Sequence, residues 1–379
     1  MHKLCITIFP YSLENFEAVK KTIRIKDIAE EAGVSTGTVD RVIHGRGNVS
    51  QKKKERILNV MKKLGYERNI VASTLAYNKT IRIAVLLPDP ATDPYWNEPL
   101  NGIQDGIQAV QHFGVKMTPY LFDIFSEADF SNQANQALMD HPDALLIAPL
   151  FLKESKLVLE KAEQLNIPNV MINTNLHNES TLSYIGPDSY QSGLLAGRLL
   201  HFGLQKGEAA LLLNLSKGST NAHHLLEKEE GFRDYFRTKP NSQIKIIKYD
   251  FEHFSNTQKL ALFLDNLLHL QPDIRGIFIT NSRSYHVVEA LPTTTAEQLI
   301  IVGFDLIEQN IQFLGQNKIN FLINQNSFQQ GYLGVMTLFD HFILRKKILL
   351  NQFLPLDIIV KENHMYHQHN TRNTPFLHT

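Results

Sequence analysis

RIKDIAEEAGVSTGTVDRVI, residues 24–43, reads as two short helices joined by a tight turn. Ile25, Ile28, Ala29 and Ala32 recur at the spacing of one helical face. Gly33 supplies the turn, and Ser35 is placed to cap a second helix. That helix buries Val39, Val42 and Ile43 and leaves Thr36, Gly37, Asp40, Arg41 and His44 outward. A short exposed helix held at a fixed angle by its partner is a shape that enters the DNA major groove. The same pattern also serves as an ordinary helical hairpin inside an enzyme.

The flanking residues favour the first reading. Ser50 is placed to cap a third helix with Ile57, Val60, Met61 and Leu64 inside and Lys52, Lys53, Lys54, Arg56, Lys62 and Lys63 around them. Residues 21–80 hold thirteen Lys or Arg against six Asp or Glu, about +7, whereas the whole chain is neutral with 38 of each sign. Residues 81–379 therefore carry about −7. A basic head on an acidic body suits contact with a phosphate backbone and release of its counterions.

Composition limits the remaining classes. At 379 residues and 43% hydrophobic content the chain is too long for one ordinary core and has the balance of a water-soluble protein. One cysteine, Cys5, excludes an internal disulfide framework and suits a reducing, cytoplasmic setting. LCITIF near the start is too short for a secretory signal, and no apolar run is long enough to span a bilayer. Residues 1–22 read as a poorly ordered extension or as the product of an upstream start codon.

From residue 81 on, short apolar strands alternate with amphipathic helices. Strands are expected at 82–87, 115–122, 144–149, 168–173, 182–186, 208–215, 243–249, 275–280, 299–304 and 320–325. Helices are expected at 97–112, 127–140, 153–165, 189–202, 223–237, 256–269 and 327–343, with a late edge strand within 354–363. Continuous apolar strands separated by helices imply parallel sheets covered on both faces, and ten of them suit two doubly wound lobes better than one sheet. The fold class is α/β, preceded by an all-α head. Ligands in such sheets bind beyond the carboxyl ends of the strands, and the loop after the first carries Asp93, Tyr95 and the only Trp, Trp96. Aromatic faces beside polar groups suit a sugar. Trp96 is equally suited to packing between helix and sheet.

IKDIAEEAGVSTGTVDRVIHGRGNVSQKKKERILNVMKKLGYERNIVASTLA, residues 25–76, resembles the DNA-binding headpiece and hinge of the lactose/galactose repressor (LacI/GalR) family. The rest of the chain continues in that family's pattern. The resemblance implies a ligand-responsive homodimeric transcription regulator, most simply a repressor, on a pseudo-palindromic double-stranded operator. It divides the chain into an extension (1–22), a helix-turn-helix headpiece (23–68), a hinge (69–80), a two-lobed sensor of the periplasmic-binding-protein type (81–363) and a polar tail (364–379). The chain would cross between lobes three times, with 81–185 and 315–345 in one lobe and 186–314 in the other.

Carried over residue by residue, Thr36, Gly37 and Arg41 take the places that read base edges, with Ser35, Thr38 and His44 in the same interface. Arg41 can donate two hydrogen bonds to guanine. Gly37 replaces a bulkier polar residue, Asp40 replaces a serine, and Arg68 stands where a proline precedes Asn69. Asn69, Leu75 and Ala76 belong to the hinge helix, in which Leu75 is either an apolar wedge between base steps or a buried linker residue. On the sensor side, Asn173, Asn175, Asn281, Asp305 and Gln325 each close a strand at a family ligand position, and Lys228 replaces an arginine. Lys gives a point charge rather than a planar fork. Asp305, Asn281, Asn173 and Gln325 offer hydroxyl partners without a strong basic cage, which favours a carbohydrate over a phosphorylated or purine effector.

Other classes leave weaker traces. No phosphate loop, nucleophile elbow or dinucleotide fingerprint is present, so no catalytic residue, cofactor or membrane role is expected. His364, His367 and His369 could chelate a metal, but so polar a tail is expected to be disordered, and no metal site is assigned. A sensor that binds nothing, or a two-lobed sugar-binding protein with no regulatory role, remain the alternatives.

Overall fold

The computed structural model describes residues 23–43, 47, 49–66, 80–178, 180–217, 223–239 and 243–370, and the chain divides between Ser73 and Thr74 into two units. The expected extension and almost all of the expected hinge lie outside the described residues.

The first unit has three helices, α1 (Ile25–Ala32), α2 (Thr36–Ile43) and α3 (Gln51–Leu64). Ile28, Ala29, Ala32, Val39 and Ile57 form its core, with Val42, Ile43, Val60, Met61 and Leu64 packed against them. Gly33 ends α1 at φ +60°, a conformation that costs a residue with a Cβ more than it costs glycine. Arg56 of α3 donates through Nε to the Ala32 carbonyl at 2.6 Å, satisfying a helix-end acceptor while tying the basic helix down. Ser50 sits at the start of α3 but makes no side-chain cap hydrogen bond.

The second unit holds two sheets. The strands are β1 (Ile81–Pro88), β2 (Val115–Phe122), β3 (Ala144–Ile147), β4 (Asn169–Ile172), β5 (Ser183–Gly186) and β6 (Ala209–Asn214). They continue with β7 (Lys245–Asp250), β8 (Ile274–Ile279), β9 (Ile300–Phe304), β10 (Phe321–Asn324), β11 (Asn351–Phe353) and β12 (Asp357–Ile359). The sheet orders are β11-β5-β4-β3-β1-β2 and β12-β10-β9-β8-β6-β7, so each lobe repeats the doubly wound arrangement. The described pairings are parallel apart from β10 with β12, which is antiparallel. Between the strands lie α4 (Asn97–Val110), α5 (Glu127–Met139), α6 (Leu152–Gln164), α7 (Ser189–His201), α8 (His223–Arg237), α9 (Thr257–Leu270) and α10 (Ser284–Ala290). They are followed by α11 (Thr293–Ala296), α12 (Glu308–Gly315), α13 (Ser327–Phe339) and α14 (His364–Asn370).

Three expectations need correcting. The chain does cross three times, but β10 pairs with β9, so residues 315–324 belong to the second lobe and the return to the first comes only at α13. A short apolar strand fits either sheet equally well, so pattern alone misplaced it. The late edge is shared: β11, unforeseen, closes the first sheet and β12 the second. The tail opens with α14, so residues 364–370 are helical rather than disordered.

One packing device occurs twice. A Cβ at Gly193 on α7 would lie 2.0 Å from the Lys228 carbonyl oxygen on α8, and one at Gly231 would lie 2.0 Å from that of Tyr190. In the other lobe Gly102 on α4 stands in the same relation to Phe328, and Gly331 on α13 to Pro99, again at 2.0 Å. Each lobe therefore contains two helices touching backbone to backbone, where no side chain larger than hydrogen fits.

Candidate ligand site and nucleic-acid interface

The ends of both sheets meet around one cavity of about 100 Å³, lined by all eight expected ligand residues: Asp93, Tyr95, Trp96, Asn173, Lys228, Asn281, Asp305 and Gln325. Asn173 and Asp305 terminate β4 and β9 at φ +69° and +67°, the left-handed region in which Asn and Asp are the least strained of the non-glycine residues. Tyr95 and Trp96, in the 3₁₀ turn after β1, are buried edge to face with ring centroids 5.1 Å apart. The Asn173 amide donates to the Tyr95 hydroxyl at 2.8 Å. Burial, and then the nearby Asp305 carboxylate, push the Tyr95 phenol well above its ordinary pKa.

The polar floor is a relay. Gln325 donates from Nε2 to both Asp305 carboxylate oxygens, at 3.0 and 2.9 Å, and accepts from Lys228 Nζ at 3.0 Å. Lys228 also donates to the Thr280 carbonyl at 3.2 Å and sits 3.7 Å from the Phe304 ring centroid. Burial lowers the Lys228 pKa and raises that of Asp305, while each charge partly restores the other. Asn281 spends its amide on the loops around it, donating to the Leu215 carbonyl after β6 and accepting from the Arg283 backbone in its own loop. Asn175 does not line the cavity; it holds Asn351 of β11 and the His177 backbone.

Sequence reasoning missed Arg283, two residues past Asn281 at the same strand end. Its guanidinium pairs with Asp93 across the cleft and donates to the Leu215 carbonyl at 2.8 Å. It lies over the rings of Phe125, from the first lobe, and Phe254, from the second, 5.3 and 4.8 Å from their centroids, and the two rings themselves touch with centroids 6.0 Å apart. The cavity therefore does contain buried cations, contrary to the expectation of no strong basic cage, but Arg283 is matched by Asp93 and Lys228 by Asp305. His224 was missed as well. Its Nδ1 faces the Thr174 hydroxyl at 3.2 Å, and burial followed by the Lys228 charge pushes its pKa down to about 3, so the ring is neutral. Behind the lining, Asn310 donates from Nδ2 to the Ser282 and Phe304 carbonyls at 2.8 and 2.9 Å, stapling two ligand loops together. Two buried polar atoms on lining residues, Trp96 Nε1 and Ser216 Oγ, have no partner among the described residues.

In the first unit, Ser35, Thr36, Gly37 and Arg41 are exposed on and beside α2, and Thr38 is half-buried. Ser35 Oγ accepts from the Thr38 backbone N–H at 3.3 Å, which makes it the cap the sequence suggested. Lys52, Lys53 and Lys54 are exposed on the first turn of α3. His44, Asn69, Leu75 and Ala76 lie outside the described residues.

The fold and these two surfaces define a class: a helix-turn-helix unit joined to a two-lobed binding domain of the periplasmic type. Residues 24–69 match the family of bacterial regulatory proteins called lacI, and residues 83–346 match the periplasmic binding protein domain. Among curated relatives, the ribose operon repressor of Halalkalibacterium halodurans is 27% identical over 319 residues, covering 79% of this chain and 89% of that protein. The sucrose operon repressor of Escherichia coli is 30% identical over 291 residues, covering 74% and 83%. Among solved structures, a glucose-galactose binding protein from Geobacillus stearothermophilus superposes with a TM-score of 0.66 at 20% identity, over 76% of this chain and 99% of that one. The chain belongs to the lacI family of bacterial regulatory proteins. It is a DNA-binding transcription regulator and not an enzyme. Among the described residues no helix is long and apolar enough to cross a membrane.

Proposed function

We propose that the chain is a cytoplasmic, homodimeric repressor whose grip on a pseudo-palindromic operator is set by one monosaccharide held between the lobes. The observation that carries this reading is the cavity: buried, charge-balanced and walled by Tyr95 and Trp96, with Trp96 Nε1 and Ser216 Oγ still unpartnered. An orphan donor and acceptor beside aromatic faces match a neutral polyhydroxyl better than a phosphate, which would need unmatched positive charge. Its volume of about 100 Å³ suits a small guest rather than an oligosaccharide. The ribose and sucrose operon repressors among the relatives support the same class. A guest that favours the closed lobes would alter the spacing of the two headpieces in a dimer and so shift operator affinity.

Thermal-shift screening of the purified chain against pentoses, hexoses and their phosphates tests the sensor. A neutral monosaccharide should raise the melting temperature and change retention of a genomic fragment, and a response confined to sugar phosphates or purines would overturn the assignment. At the other end, we assign base reading to Arg41, with Ser35, Thr36, Gly37, Thr38 and His44 beside it and Asn69, Leu75 and Ala76 at the hinge. Arg41→Ala should cost about 1–3 kcal/mol at the preferred operator and broaden sequence choice. A binding selection that returns the parent's base preference would remove Arg41 from that role.

A further inference from the structure

Outside the sugar cavity, three ligating groups converge across the cleft. His177 follows β4 in the first lobe, while His223 and Glu227 lie one turn apart on α8 in the second. Glu227 Oε1 is 3.1 Å from His177 Nε2 and 3.4 Å from His223 Nε2, and the three ligating atoms all lie within 4.8 Å of one another. A tetrahedral zinc ion with ~2.0–2.1 Å bonds places its ligand atoms roughly 3.4 Å apart, so the two measured edges already have the required length. His177 is held for this at φ +51°, with its backbone N–H donating to Asn175 Oδ1 at 2.9 Å. The side chains are 63%, 29% and 20% exposed for His177, His223 and Glu227, which leaves an entry path and room for a water as fourth ligand.

We propose that His177, His223 and Glu227 form a binding site for a divalent transition-metal ion that ties the two lobes together. Two imidazoles and one carboxylate suit zinc and its late first-row neighbours, whereas magnesium and calcium favour all-oxygen shells. Histidines facing a shared carboxylate also occur as a plain hydrogen-bonded cluster, and the assignment is separated from that by metal uptake itself. Because one ligand comes from the first lobe and two from the second, the ion favours the closed arrangement. By linkage it therefore tightens any guest that needs the same closure. This last step rests on the carbohydrate reading; the metal site does not.

The experiment uses the full chain, zinc ions and a competing chelator dye, first without sugar or DNA. One zinc per chain is expected, with His177→Ala and His223→Ala each weakening it by roughly tenfold or more, since even outer-shell changes cost that much. Glu227→Gln, nearly isosteric, should behave likewise. The tail histidines are the competing source, so a variant with His364, His367 and His369 all changed to alanine must keep the site. No zinc uptake, uptake unchanged in the His177 and His223 variants, or uptake lost only with the tail would each overturn the assignment. A second arm measures affinity for the sugar found in screening, with zinc and with chelator. Tighter binding with zinc supports the tie between lobes, and equal affinities refute it. Zinc bound at these residues with no sugar responding leaves the site standing and removes the carbohydrate reading instead.

Discussion

Asp305→Ala should abolish the sugar's effect on operator binding while leaving ligand-free operator binding as it was. Asp305 is 3% exposed and is the carboxylate end of the relay through Gln325 to Lys228. Removing it takes away a charged acceptor for sugar hydroxyls, worth about 1.5–3 kcal/mol by itself. It also takes from the buried Lys228 a negative charge that reaches it through Gln325, a cost to fold stability rather than to binding. The lost acceptor alone corresponds to roughly 10- to 150-fold weaker sugar binding. Calorimetric titration with the sugar and anisotropy with operator DNA measure the two halves separately. A variant that still releases or tightens on DNA as the parent does would refute the role given to Asp305. The first unit contains none of the altered contacts, and that is why ligand-free binding is expected to survive.

The second large effect concerns packing. Gly193→Ala should lower stability by about 3 kcal/mol, near the upper end for overpacking, because the new methyl meets a main-chain oxygen 2.0 Å away. A flexible side chain could swing aside; the Lys228 carbonyl cannot move without α8. In a unit of this size the melting temperature should fall by roughly 5 °C. Sugar affinity should fall with it, since Lys228 itself rides on the displaced turn. Gly315→Ala is the matched control: nothing lies within 4 Å of its Cβ position, and its melting curve should overlay the parent's. Equal melting temperatures for the Gly193 variant and the parent would show that the two helices have slack there.

The sequence revealed elements and strand-end chemistry better than it revealed partners. Helical and strand periodicities placed α1 to α3 and the interior strands because burial on one face or both leaves a repeating trace. Asn173, Asn281, Asp305 and Gln325 were found since a polar residue closing an apolar strand marks the sheet's carboxyl edge and matches a family ligand position, and Asp93 because it lies in the loop after the first strand. What those residues do with their hydrogen bonds was not visible. Asn281 turned to the Leu215 carbonyl after β6, Asn175 turned to β11, and the counter-charge for Asp93 came from Arg283, 190 residues away. Such pairings join residues far apart in sequence, within a lobe or, for Asp93 with Arg283, between lobes, and no spacing rule encodes that. The placement of β10 failed for a related reason, as its four residues are equally apolar toward either sheet.

The Asp93–Arg283 pair, with the guanidinium resting over the touching rings of Phe125 and Phe254, has one more implication. A receptor that can fasten its own jaws visits the occupied shape while empty. The empty population therefore already contains some molecules in the signalling form, and the guest can only enlarge that fraction. Gene output controlled by such a switch has a floor and a ceiling set in part by the strength of one internal clasp at the rim of the guest's own cavity.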